Sequence, residues 1–382
     1  MLALQGLSPL ALTRAMPAVT LAEARKIVAQ VHRDESVATP MSGITRRARE
    51  LIVAAGEVPS LEVTAERKSL LDPFVKYAMK TAEGETIEAV RIPLERAGRF
   101  SVCVSSQIGC ALACAFCATG RMGLRRNLEA WEIVEQVRIV RRRLPEKTRV
   151  HGVVFQGMGE PMANLDRVLD AISVMSDPCA LAIDARNMTV STAGLPSGIR
   201  RLAREAPKVR LALSIGTARA REGARATLMP IDRAHSLAEV LEAAAEHARA
   251  TGLAPMWAVT LLRDVNDGDE DARALATAAL GFAEKAGVRP RISIIPFNAI
   301  DGDPFARSTD DGETRFRDAL SRAGVFTHKR YSGGGDVDAA CGQLAARARP
   351  EGGPGPDDGV APGLVTLRPA PRLAPRARPA RG

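Results

Sequence analysis

The chain has 382 residues, 46% of them hydrophobic and 25% charged, which suits a globular protein large enough to bury one full core and something smaller beside it. No apolar run reaches the roughly 18 residues that span a bilayer, and Met1–Thr20 has no basic residue ahead of its apolar stretch; the expectation is a protein of the reducing cytoplasm, where cysteines bind metal or catalyse rather than cross-link. The formal charge of +9 favours a polyanionic partner, although residues 346–382 hold seven Arg against Glu351, Asp357 and Asp358, so +4 lies in that tail and +5 in the body.

Near the N-terminus, LAEARKIVAQV (21–31) and GITRRARELIVAA (43–55) have the apolar spacing of amphipathic helices. No strand pattern is evident up to about residue 82, so residues 1–84 read as a small helical domain. Arg46, Arg47 and Arg49 fall on the second helix, with Arg67 and Lys68 beyond it; such a cluster is either a solvated face or a nucleic-acid contact. From residue 85 the pattern changes. The strand runs are IEAVRIP (87–93), RFSVCVS (99–105), HGVVFQG (151–157), MTVST (188–192), VRLALSI (209–215), MWAVTLL (256–262), RISIIPF (291–297) and FTHKRYS (326–332). Helical stretches such as EAWEIVEQVRIVRRRL (129–144) and SLAEVLEAAAEHARA (236–250) alternate with them. This alternation predicts an α/β fold with a parallel sheet and right-handed crossovers. Six or so successive units, with no GxGxxG after the first strand, suit a partial (β/α)6-type barrel over residues 85–346. Residues 347–382 are rich in Pro, Gly, Ala and Arg and read as a disordered tail, either passive or a phosphate-attracting arm.

The chemistry is concentrated in cysteine. Cys110, Cys114 and Cys117 form C-x3-C-x2-C directly after the 99–105 strand. A structural zinc takes four protein ligands, usually as two separated pairs, and this triplet offers neither. Three thiolates instead hold a 4Fe–4S cluster and leave one iron open. That iron can chelate the amino and carboxylate groups of S-adenosylmethionine (SAM) and pass an electron to its sulfonium, releasing a 5′-deoxyadenosyl radical.

With its neighbours the triplet resembles the RlmN/Cfr family of radical SAM RNA methyltransferases, over about residues 85–346. The shared runs are CVSSQIGCALACAFCATG (103–120), GMGEP (157–161), VSTAG (190–194), IPFN (295–298) and DAACGQLA (338–345). The resemblance implies methylation of an adenine ring carbon, C2 or C8, in ribosomal RNA and possibly also tRNA. It implies one cluster per chain, two SAM consumed per methylation, an electron donor such as flavodoxin or ferredoxin, and a monomeric cytoplasmic enzyme. Gly159, Glu160, Ser191, Ser214, Ile215, Gly216 and Asn298 are implied at the SAM site. Cys341 is implied as methyl acceptor, Cys103 as the thiol that releases the product as a disulfide, and Glu88 as the base for the ring proton, with Glu85 and Glu95 as rivals for that role. Cys179 reads as a buried structural residue. The cysteine requirement is chemical: a ring carbon such as C2 cannot attack SAM's methyl group, whereas a thiolate can.

These positions also agree with the barrel reached from periodicity, because barrel chemistry collects at the C-terminal ends of strands. The triplet follows one strand, Gly159–Glu160 the next and Ser191 ends the third; Ser214, Asn298 and Cys341 end or follow later ones. The chain departs from the family in several places. About two extra residues separate Glu88 from Cys103, and Ser214-Ile215-Gly216 stands where Ser-Leu-His is usual, so that restoring histidine at 216 is expected to tighten SAM binding or leave it unchanged. Glycine replaces an arginine in SGGGDVDAAC, which is expected to loosen that loop or weaken a phosphate contact, and the N-terminal region is poor in the aromatics that stack unpaired bases. Two other readings stand beside the methyltransferase: a cluster-bearing RNA-binding or redox protein that has lost methyl transfer, and a radical SAM methylase with a non-RNA substrate.

Overall fold

The computed structural model describes residues 1–34, 36, 42–219, 223–299, 302 and 304–345; the tail read as disordered lies outside them. Ten strands form one mixed sheet: β1 Glu62–Lys68, β2 Val75–Lys80, β3 Thr86–Pro93, β4 Arg99–Cys103, β5 Arg149–Phe155, β6 Met188–Thr192, β7 Arg210–Ser214, β8 Met256–Leu261, β9 Arg291–Pro296 and β10 Thr327–Lys329. Spatial order follows chain order from β1 at one edge to β10 at the other. Strands β1 to β4 pair antiparallel, and every neighbour from β4 to β10 pairs parallel. All eight expected strands are present. Seven parallel strands with a helix between each consecutive pair make six β/α units, the partial barrel expected.

The crossover helices are α4 Ala130–Arg142, α5 Leu165–Ser176, α6 Pro196–Glu205, α7 Leu237–Thr251, α8 Asp269–Ala286 and α9 Asp310–Arg322; α1 Pro9–Ala15, α2 Leu21–Asp34 and α3 Arg46–Ala55 precede the sheet. Local sequence sets their ends. Helix α7 starts in a reciprocal cap between Ser236 and Glu239 and stops where Gly252 turns left-handed at φ +71°. Apolar residues of the strands and crossover helices form one large core, with Trp257 on β8 fully buried and its ring edge-on to Phe282 of α8, centroids 5.3 Å apart. A second, smaller core joins α1, α2 and α3 through Leu12, Ile27, Val28 and Ile52. Among the described residues no helix is long and apolar enough to cross a membrane.

The reading of residues 1–84 as wholly helical is corrected. The helices Pro9–Ala15, Leu21–Asp34 and Arg46–Ala55 bear it out in part, beside a short parallel pairing of Leu2–Ala3 with Gly56–Glu57, after which β1 and β2 extend the sheet. The physical reason is that charged residues break up both runs, Glu62, Glu66, Arg67 and Lys68 on β1 and Lys76 and Lys80 on β2. β1 is an edge strand whose charged residues face outward. On β2 Val75, Tyr77 and Met79 alternate into the core, and Lys76 between them is buried on the opposite face, paired with Glu88.

The Ser236 cap makes a simple test of helix α7. Ser236→Ala should lower unfolding free energy by about 1 kcal/mol with little change in the denaturant slope, measured by urea titration.

Candidate active site

The polypeptide leaving β4 turns into a small antiparallel hairpin, Gln107–Cys110 against Gly123–Asn127, and the cysteine triplet lies in the loop between its arms. Gly109 has φ +74°, and a Cβ there would fall 1.7 Å from the Gly123 carbonyl oxygen, so the hairpin closes only around glycine. The Cys117 amide donates to the Cys114 carbonyl at 3.1 Å and Ala115 donates to Leu228 at 2.9 Å, which fixes the loop against the segment after β7.

Cys110, Cys114 and Cys117 line one side of a cavity of about 970 Å³, open to solvent. Gly159, Glu160, Ser191, Ser214 and Gly216 line it from the strand ends, and Cys341 closes it. Burial pushes the Cys110 thiol up to about 11 and Cys114 up to about 12, with the neighbouring thiols adding to the second, and it raises Cys117 as well. Binding iron would therefore displace protons from three thiols. Among the described residues no three His, Cys, Asp or Glu side chains converge tightly enough to share one metal ion. A cluster fits this spacing, because each of its thiolates binds a different iron. Around a mostly apolar lining, Glu160, Ser191, Thr192 and Ser214 supply a few polar groups, the composition of a small-molecule cofactor site.

Glu160 is buried, and burial raises its pKa against the hydrogen bonds that lower it. Its Oε1 accepts from the Met162 amide at 3.0 Å and its Oε2 from the Ala193 amide at 2.9 Å, so it caps one turn and ties β5 to β6 before any ligand arrives. Gly159 lies at φ +99° with Gln107 only 2.5 Å from a notional Cβ, and the Gln107 side-chain oxygen accepts from the Glu160 amide at 2.8 Å. Two expected SAM residues are placed elsewhere. Ile215 is buried in the core. Asn298 does not line the cavity; its Nδ2 donates to Ser332 Oγ at 2.8 Å and to the Cys341 carbonyl at 3.1 Å, which makes it a support for the Cys341 loop.

Arg225 escaped the sequence reading. Nearly buried, it donates from Nε to the Ile215 carbonyl at 2.9 Å and from Nη2 to the Ala193 carbonyl at 2.7 Å, and it pairs with Asp232 at 2.8 Å. It thereby pins the rims of β6 and β7 together. Asn266 acts likewise, donating to the Gly216 carbonyl at 2.8 Å. Neither stands in a motif that sequence inspection singles out.

A second cavity of about 640 Å³ shares Cys117, Gln156, Gly157, Cys341 and Gly342 with the first. Phe74, Val90, Cys103 and Arg330 line its far side. Burial, with a charge on Cys341 adding to it, pushes the Cys103 thiol up to about 12, while Arg330 and the Gln156 backbone act the other way. All six cysteines are free, so the Cys103–Cys341 disulfide implied by the resemblance is absent from this state. Glu88 lines neither cavity. It is buried beside the second, with Oε1 3.2 Å from Lys76 Nζ and Oε2 accepting from the Ala345 amide at 3.0 Å. Cys179 is half-buried and packs against the small N-terminal core.

The glycine-rich run near Cys341 is tightly held, contrary to the loosening expected of it. Tyr331 OH and the Gly334 amide both donate to Asp72 Oδ2, at 2.8 and 2.9 Å, and the Leu70 amide donates to Asp336 at 2.8 Å. Gly334, which stands where the arginine is usual, lies at φ +74°, and a Cβ there would fall 2.7 Å from the Ala339 Cβ, so glycine suits this tight turn.

A C-x3-C-x2-C triplet at the open rim of a partial (β/α)6 barrel, lining one cavity with Glu160, Ser191 and Ser214, is the arrangement of a radical SAM enzyme. The radical SAM superfamily model matches residues 104–276. A probable RNA methyltransferase of Sorangium cellulosum is 58% identical over 88% of this chain and 91% of its own length. The dual-specificity RNA methyltransferase RlmN of Syntrophobacter fumaroxidans is 41% identical over 80% of this chain and 86% of its own. The crystal structure of a radical SAM methyltransferase from Sphaerobacter thermophilus superposes with a TM-score of 0.81 at 32% identity, covering 91% of this chain and all of that one. The chain belongs to the RlmN-type family of SAM-dependent radical SAM RNA methyltransferases.

Gly216 supplies a test that reverses the expectation from sequence. It lies at φ +70°, and a Cβ there would meet Met229 Sδ at 2.8 Å. A side chain in that left-handed conformation costs about 1–2 kcal/mol before the clash is counted. Gly216→His should therefore weaken SAM binding by roughly tenfold or more in calorimetric titration, since each tenfold corresponds to about 1.4 kcal/mol. Equal or tighter binding would show that the loop is not built around glycine. A separate test addresses the triplet. Replacing Cys110, Cys114 and Cys117 together by Ala should abolish the visible absorbance of anaerobically reconstituted protein and its cleavage of SAM.

Proposed function

We propose that the enzyme methylates an adenine ring carbon, C2 or C8, of RNA, with ribosomal RNA the principal substrate and tRNA a further one. The observation that carries this reading is the position of Cys341 in the wall common to both cavities, with the triplet on one side and Cys103 on the other. The names of the RNA methyltransferase relatives and the net charge of +9 support an RNA substrate.

Cys110, Cys114 and Cys117 hold a 4Fe–4S cluster, and Gly159, Glu160, Ser191, Ser214 and Gly216 surround SAM beside it. When bound, the two supply a methyl group from one SAM and a carbon radical from a second. The Cys341 sulfur accepts the methyl group as S-methylcysteine, because the ring carbon itself is not nucleophilic. With the ring carbon joined to that group, the Glu88 carboxylate takes the ring proton. The Cys103 thiolate then attacks the Cys341 sulfur: an S–S bond forms, the S–C bond breaks with its electron pair left on carbon, and that carbon takes up a proton, so the methylated RNA leaves and Cys103–Cys341 remains as a disulfide. Asn298 and Ile215 act behind the site, one supporting Cys341 and the other fixing the β7 rim. A flavodoxin- or ferredoxin-type donor supplies electrons to a monomeric enzyme working in the cytoplasm.

The experiment stalls the cycle. Protein purified with a Cys103→Ala change should carry nuclease-sensitive RNA covalently attached at Cys341, and Cys179→Ala protein should carry none. Peptide mass spectrometry of the parent should find one added methylene on Cys341, and nucleoside analysis of a deletion strain should show one methyladenosine missing and identify its carbon. Unmodified Cys341 in active enzyme, or parental turnover by Cys103→Ala, would overturn the scheme.

A further inference from the structure

The ion pair behind the second cavity is unusual in its depth. Lys76 and Glu88 side chains are 5% and 2% exposed, with Nζ 3.2 Å from Oε1. Removing two charges from water costs several kcal/mol per ion, and an apolar pair of similar volume often serves stability as well or better. A pair retained at such a place calls for a chemical reason, and its register supplies one. Lys76 lies opposite Val90, and Val90 opposite Cys103, in the β2–β3–β4 ladder. Alternate residues of a strand share a face. Glu88, Val90 and Ile92 therefore point one way from β3, as do Phe74 and Lys76 from the start of β2. Phe74, Val90, Ile92 and Cys103 line the second cavity. The pair thus belongs to the layer of side chains that faces the substrate cavity.

We infer that Lys76 is the positioning residue of the Glu88 carboxylate and fixes its Oε2 as the oxygen that receives the ring proton; this rests on the reading of Glu88 as the base. A carboxylate enclosed by protein holds its charge only beside a compensating cation. Lys76 provides one and also occupies Oε1. The remaining oxygen meets the Ala345 amide at 3.0 Å, next to Leu344, which lines the cavity. In the transfer the ring C–H bond breaks, its electron pair stays on the ring, and an O–H bond forms at Oε2. An O–H group there no longer accepts from Ala345 as strongly, and the ammonium keeps Oε1 as its partner.

The test uses the cluster-loaded full chain and RNA extracted from a deletion strain, once from ordinary medium and once from cells grown on [2,8-²H₂]adenine. Lys76→Met should leave methylation of Cys341 at the parental level and slow methyladenosine formation by about tenfold or more, since positioned general bases commonly contribute 10²–10⁴-fold. Its product should also form more slowly from deuterated RNA than from ordinary RNA, because proton removal has become limiting. Lys76→Arg, which retains the cation, should restore most of the rate and lose the isotope sensitivity. Lys76→Gln repeats the neutral case if the methionine variant fails to fold, with cluster absorbance and circular dichroism reporting integrity. A folded Lys76→Met or Lys76→Gln enzyme that makes product at the parental rate, with no isotope dependence, would reduce Lys76 to a structural partner. Glu88→Gln separates the two assignments. If it is slow and isotope-sensitive while the neutral Lys76 variants are not, only the role of Lys76 fails. If Glu88→Gln itself turns over normally, the base assignment fails and the present inference with it.

Discussion

One length of backbone, residues 330–345, determines how the two cavities meet. Among the described residues the sheet is open, since β10 pairs with β9 alone and β1 with β2 alone. The rim is bridged by the chain that leaves β10. Asn298 and Asp72 hold its first half through Ser332, Tyr331 and Gly334. Its second half is tied to the cysteine loop by the Ala118 amide on the Gly342 carbonyl at 2.8 Å and by Thr119 Oγ1 on the Leu344 carbonyl at 2.5 Å. The Ala345 amide on Glu88 completes the crossing. Cys341 owes its place between the cavities to these bonds. Each anchor comes from a different part of the chain, so the site exists only when the whole barrel is formed.

Topology explains why the chemistry collects on one rim. In the parallel strands β4 to β9 the C-terminal ends all point the same way, and they deliver the cysteine loop, Glu160, Ser191 and Ser214. β3 runs antiparallel to β4, so its N-terminal half reaches the same rim and brings Glu88 there. The Ser105 hydroxyl makes this junction explicit. It donates to the Glu88 carbonyl at 2.6 Å and accepts from the Met158 amide at 2.9 Å, linking β3 to the turn after β5.

What was legible in the sequence follows the same division. Strands buried on both faces announce themselves as apolar runs, and all of those were found. Motif residues with a fixed chemical need, the cysteines above all, were also legible, because a thiol triplet at that spacing serves few purposes. Position 76 was not legible. A lysine reads as exposed, and only its ion pair with Glu88 in the folded sheet shows that it is buried. Gly216 was misleading for a different reason. Its identity suggested a lost contact, whereas its backbone angle of φ +70° makes glycine the residue the loop requires. Arg225 and Asn266 bond to backbone carbonyls far away in sequence, and no local pattern encodes such partners.

The electrostatics of the two working cysteines bear on the order of events in the proposed cycle. Cys103 is held as a thiol mainly by burial, and a negative charge on Cys341 holds it there more firmly. Two thiolates facing one small cavity repel each other, so the enzyme has one nucleophile at a time. While Cys341 is ionised to receive a methyl group, Cys103 is disfavoured as a competitor for it. Once the Cys341 sulfur carries carbon it has no charge to give up, and that part of the suppression disappears. Arg330, on the wall of the same cavity, then acts on Cys103 unopposed by its neighbour and favours the thiolate. In the proposed cycle Cys103 would thus become easier to ionise only after Cys341 has taken the methyl group, so two cysteines lining one cavity could act in sequence.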